Sequence, residues 1–104
     1  ISTLKGSTTG VAGEQVPAQF VLDQNYPNPF NPSTTIRYGL PQQSEVNITV
    51  FNLLGQEVAV LVRGEQPAGY HEVQLDAGAI PSGMYLCRIQ AGNFVATRKL
   101  LLVK

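Results

Sequence analysis

The chain has 104 residues, 43% hydrophobic and 13% charged, with one cysteine and seven acids balanced by seven bases. The length predicts one domain, and the charged share is about half that of an ordinary soluble domain. Zero net charge argues against a nucleic-acid binder driven by phosphate neutralisation, and the sparse charge leaves little to oppose self-association.

In chain order, residues 1–19 are rich in Gly, Ser and Thr without an apolar period, which reads as a linker or extended tail. The sequence opens at Ile1 with no signal peptide, as expected of a fragment, a processed product or the tail of a longer chain. Gln24–Ser33 follows, with prolines at 27, 29 and 32. Proline excludes helix and central strand and extends the residue before it. An ordered, extended loop is predicted, with Tyr26 and Phe30 as its apolar anchors.

From Thr34 the pattern alternates with period two. Ile36, Tyr38 and Leu40 form the inner face of one strand; Val46, Ile48 and Val50 form that of the next. Leu54-Gly55-Gln56 turns the chain. Val58, Val60 and Val62 form one face of a third strand, with Ala59 and Leu61 opposite. A turn is expected over Gly64–Gly69. His71, Val73 and Leu75 alternate with Tyr70, Glu72 and Gln74. After the breakers Gly78, Pro81 and Gly83, a strand runs over Met84–Gln90, a tight turn over Ala91-Gly92-Asn93, and a last strand over Phe94–Val103. With Phe20–Leu22 as a seventh strand, the spacing predicts an all-β, immunoglobulin-like antiparallel β-sandwich over residues 20–104; a small open barrel is the alternative. No stretch carries a helical period. The single cysteine and the lack of tryptophan exclude an antibody-type core.

Catalytic chemistry is not legible. His71 stands alone without a second metal ligand, and reads as a strand-surface imidazole. Cys87, mid-strand, reads as a small apolar filler. The two aspartates and five glutamates are scattered, so no carboxylate pair or calcium loop forms. No phosphate-binding glycine motif follows a strand. Asn47-Ile48-Thr49 matches a glycosylation acceptor but falls inside a strand. No enzyme activity, cofactor, metal, nucleic acid or membrane span is expected. The aromatics Tyr26, Phe30, Tyr38, Phe51, Tyr70, Tyr85 and Phe94 read as core and cross-strand packing; a sugar-binding platform is the alternative. Residues 1–76 hold all seven acids and three bases, a net charge of −4, whereas 77–104 hold Arg88, Arg98, Lys99 and Lys104 without an acid. The strip reads as solvated strand faces or as a basic docking surface.

The stretch Leu22–Ile36, with Asn25-Tyr26-Pro27-Asn28-Pro29-Phe30-Asn31-Pro32 at its centre, closely resembles the opening of the type A C-terminal sorting domain of the type IX secretion system. Val50–Gln56 with Gly55, Ala68-Gly69-Tyr70-His71, Ser82-Gly83-Met84-Tyr85 and the closing Arg98-Lys99-Leu100-Leu101-Leu102-Val103-Lys104 resemble that family's later motifs in the same order. A related immunoglobulin-like module of flagellar hook-capping proteins shares part of the pattern. The resemblance implies a non-enzymatic address label on a secreted protein of a Gram-negative bacterium. The cargo, joined N-terminally through residues 1–19, reaches the periplasm, and the domain is read by the outer-membrane translocon. A surface protease commonly removes it, leaving cargo outside or on the cell surface. The final strand is then the recognition element, by strand addition if it lies at a sheet edge. Two further readings stand beside this one. Residues 1–19 could add a strand to the next copy and build an extracellular homopolymeric filament, or the domain could be a carbohydrate-binding module.

Overall fold

The structure is a computed structural model and describes residues 16–104. Most of the 1–19 segment, and with it the strand-exchange filament, lies outside the described residues. Among the described residues, seven strands run in chain order: β1 Val21–Leu22, β2 Ser33–Leu40, β3 Ser44–Asn52, β4 Glu57–Gln66, β5 Gly69–Asp76, β6 Gly83–Ala91 and β7 Phe94–Leu102. They form two antiparallel sheets, β1-β2-β5 and β4-β3-β6-β7. The two-sheet sandwich is the predicted architecture, not the barrel. In immunoglobulin lettering the sheets read ABE and C′CFG; the fourth strand joins the second sheet, where constant-type domains add it to the first. The corner before β6 carries the tie expected of such a domain: the Tyr85 hydroxyl donates to the Pro81 carbonyl.

Alternation builds the core. Ile36, Tyr38 and Leu40 from β2 face Val46, Ile48 and Val50 from β3, and all six are buried. Tyr85, Cys87 and Ile89 from β6 and Leu100 and Leu102 from β7 complete it. On β5 the inner face is that of His71, Val73 and Leu75: Leu75 is buried, with His71 and Val73 half-buried, which corrects the reading of His71 as a strand-surface imidazole. Burial pushes the Cys87 thiol up to about 12 and raises the Tyr38 phenol above its ordinary 10.0, because a charged form in an apolar core loses its hydration.

Strand β4 departs from the predicted alternation. Its register against β3 pairs Ile48 with Val62, Thr49 with Val60 and Val50 with Ala59, with irregularities at Ile48/Thr49 and Val50/Phe51. Each skipped residue is a bulge that shifts the faces by one. Val62 and Ala59 therefore turn toward the core, whereas Val60 shares the outward face of Thr49 and is 42% exposed. The bulged strand also runs on to Gln66, so the predicted Gly64–Gly69 turn shrinks to Pro67-Ala68.

Ahead of β1, Pro17 is buried. Its Cγ lies 2.8 Å from where a Cβ on Gly39 would sit, and the Tyr70 ring closes the same space at 3.0 Å. Only a residue without a side chain allows that approach.

Candidate functional site

The segment between β1 and β2 crosses from one sheet to the other. Three X–Pro bonds within it, at Pro27, Pro29 and Pro32, are cis. At its start it belongs to the first sheet: Tyr26 N donates to Thr35 O and Thr35 N to Tyr26 O, both at 2.9 Å. At its middle it belongs to the second sheet: Phe30 N donates to Leu101 O at 2.9 Å, and Val103 N to Phe30 O at 3.0 Å. Side chains reinforce the crossing. Asn28 Oδ1 accepts from Leu101 N at 3.0 Å, Gln24 Nε2 donates to Lys99 O at 2.7 Å, and Arg98 Nε donates to Leu22 O at 2.9 Å. At its end, Ala77 N donates to Pro32 O at 2.8 Å, which ties it to the exit of β5.

Asn25 is the polar centre of this loop and only 3% exposed. Its Nδ2 donates to Thr34 Oγ1 at 2.9 Å and to Pro27 O at 3.1 Å; its Oδ1 accepts from Gln24 Nε2 at 2.6 Å. Thr34 Oγ1 in turn donates to Pro27 O at 2.8 Å. Proline offers no N–H, so the loop's carbonyls depend on such side-chain donors once water is excluded.

The two predicted anchors separate. Phe30 is 2% exposed and belongs to the core. Tyr26 is 81% exposed, which corrects its reading as an apolar anchor. Antiparallel partners share a face. Thr34 points into the core, so its neighbour Thr35, and Tyr26 paired to it, point out.

The remaining motif residues fall into two groups. Gly55 sits at φ +83 in the β3–β4 turn. Register pairs Asn52 with Tyr85, Tyr85 with Leu100 and Gly83 with Leu102. The structure therefore gathers the signature loop, Gly55, Gly83, Tyr85 and the end of β7 at one pole of the sandwich. Gly69 pairs with Leu40 and lies at the opposite pole.

The last strand is a sheet edge, as strand addition requires, but this end of it is not open. Leu100 is 0% and Leu102 1% exposed, so both are core residues. The Lys99 carbonyl, both Leu101 backbone groups and the Val103 amide are held by the loop. Its cations separate as well: Arg98 reaches back to β1, Lys99 is exposed, and Lys104 Nζ donates to Gly78 O at 3.0 Å. Sequence reasoning missed Gln24, Thr34 and Asn52 as partners here. Asn52 was legible in principle, because Asn three residues before a glycine is a turn-initiating signal.

The other candidates settle plainly. His71 Nε2 lies 2.8 Å from Pro67 O and its ring stacks on Tyr38 at 5.2 Å. Among the described residues, no cluster of three metal-ligating side chains forms, and no helix is long and apolar enough to cross a membrane. The aromatics do not line one platform: Phe30, Tyr38 and Tyr85 are core, Phe94 stacks on Phe20 at 5.3 Å, and the Tyr70 ring carries the Arg37 guanidinium at 4.1 Å.

The family described as the secretion system C-terminal sorting domain matches residues 24–104. No curated protein matches the sequence.

Proposed function

The chain belongs to the secretion system C-terminal sorting domain family, and from that premise we propose that it is a folded address label of the type IX system, directing an N-terminally joined cargo through the outer-membrane translocon. Membership implies a secreted protein that passes through the periplasm to the cell surface or exterior, in association with the secretion system. The family is one of sorting signals and not of enzymes. Within the proposal, residues 1–19 connect the cargo, a processing protease of the system cuts in that region, and residues 20–104 are the label.

One observation carries the reading. The motif that opens the family match and the motif that closes it are about 70 residues apart, yet they form a single hydrogen-bonded junction at one pole. A receptor at that pole meets both ends of the label only when the domain is folded. Rigidity suits such a signal, because a preorganised surface costs less ordering entropy on binding. Arg98–Lys104 and the motif residues Asn25–Pro32, Gly55, Gly83 and Tyr85 are thereby the recognition pole and its frame, and Gly69 shapes a turn at the far end.

The test is a fluorescent reporter carried to the periplasm with residues 1–104 at its C-terminus, in a host that has the secretion system. The reporter is expected outside the cell, and in the periplasm when the system is disabled. A reporter held in the periplasm of the intact host refutes the reading.

A further inference from the structure

The β3–β4 turn holds two leucines in water: Leu53 is 66% and Leu54 84% exposed. The turn that carries them is fixed. Asn52 Oδ1 accepts from Leu54 N at 2.9 Å and from Gln56 N at 3.0 Å. Asn52 N donates to Gln56 O at 2.9 Å, and Gly55 N to Asn52 O at 3.0 Å. Asn52 Nδ2 adds a bond to Gln56 Oε1 at 2.9 Å. The leucine side chains take no part in these bonds and lie outside the core.

Other apolar surface gathers at the same pole. Met84 is 37% and Val103 48% exposed, and Leu101, the register partner of Met84, is half-buried. On the β7 side stand Lys99 and Lys104, and residues 77–104 hold no acid. Glu57 lies on the β4 side, and Asp76 Oδ1 is engaged by Gly78 N at 3.1 Å. The one ion pair among the described residues is Arg37–Asp23, so neither lysine has an acidic partner there. The signature loop closes the edge of β7 at this pole, so contact on that side is made by projecting side chains and not by strand addition to β7.

We propose that Leu53 and Leu54 form a finger that seats in an apolar pocket of the secretion-system receptor, with acidic groups of that receptor meeting Lys99 and Lys104. The inference rests on the sorting reading and assigns the surface by which the label is read. An apolar centre depleted of charge with a polar rim is the ordinary anatomy of a protein interface.

The experiment uses the same reporter fused to the full chain, unchanged or with Leu53→Ser and Leu54→Ser together, and with Val95→Ser as a control at the other pole, where Val95 is 54% exposed. The purified double variant is expected to melt with the parent, since neither leucine is buried. Its export is expected to fall about tenfold or more, whereas Val95→Ser exports normally. Parent export with undiminished export of the double variant overturns the finger and leaves the sorting reading intact. Failure of the parent fusion overturns both. Two parallel measurements address other occupants. Oligomers of the parent that dissociate in the double variant assign the turn to a second copy; anionic vesicles bound by the parent and not by the variant assign it to lipid. Either result overturns the proposal.

Discussion

Tyr26 and Phe30 are the two aromatics of one proline-rich loop, and the structure makes their truncations unequal. Phe30→Ala removes a ring that is 2% exposed, whereas Tyr26→Ala removes one that is 81% exposed. Large-to-small truncation of a buried Phe costs about 3–5 kcal/mol, from lost transfer energy and the residual cavity. Here the backbone on either side is pinned by the Phe30–Leu101 and Val103–Phe30 bonds. The cavity therefore closes poorly, which places the loss toward the upper end. An exposed truncation stays within about 0.5 kcal/mol. Against a total stability of about 5–15 kcal/mol, the first loss is a large share and the second is not. Urea unfolding at 25 °C, followed by circular dichroism, reads both. With a slope of about 1 kcal/mol/M, the Phe30→Ala midpoint falls by about 4–5 M and the Tyr26→Ala midpoint by about 0.5 M at most. Equal shifts, or a loss below about 1 kcal/mol for Phe30→Ala, would show that the ring does not plug this end of the sandwich.

Three more outcomes test the packing. Ile48→Ala, at a residue 0% exposed, costs about 2–5 kcal/mol, whereas Val60→Ala costs under about 0.5 kcal/mol; a Val60→Ala loss as large as that of Ile48→Ala removes the two bulges from the account. Gly39→Ala drives a methyl against Pro17 and Tyr70 and costs about 1–3 kcal/mol of overpacking, read by thermal melting; an unchanged midpoint means that Pro17 does not pack there. Cys87, its thiol pushed up to about 12 by burial, resists alkylation at pH 8 in the folded state and reacts in urea. The same shift sets a sign: the stabilisation is fully present below the thiol's ordinary 9.0 and is lost as pH rises toward 12, so Cys87→Ala flattens the alkaline fall in stability. Equal alkylation rates in the folded and unfolded states would contradict the burial.

Where alternation is strict, the faces were legible from the residues alone. Ile36, Tyr38, Leu40, Val46, Ile48 and Val50 all lie inside. Val60 was not legible, because a bulge adds a residue without leaving a compositional mark: the run Val58–Val62 is apolar at every position, so it carries no face information. Tyr26 failed for a different reason. Its orientation is inherited from Thr35 through a backbone bridge, and the sequence between them is silent about that register. The motif list was legible as a list, but its grouping was not. That Gly55 shares a pole with Lys104 while Gly69 does not depends on strand order, which is a property of the assembled sheets.

The junction constrains how any truncation at the C-terminus is to be read. Removing Arg98–Lys104 strips Leu100 and Leu102 from the core, orphans Phe30 and Gln24 from their partners, and frees the edge of β6. Each of the two buried leucines alone accounts for about 2–5 kcal/mol if truncated to alanine, which together approaches the whole stability of a domain this size. Such a deletion therefore destroys the fold along with any surface that a receptor reads, and loss of export after it cannot locate the signal. Lys99, with its side chain exposed, and Leu53 and Leu54, outside the core, are positions where chemistry can change while the sandwich stays intact. Only substitutions of that kind separate a label that is unread from a label that is unfolded.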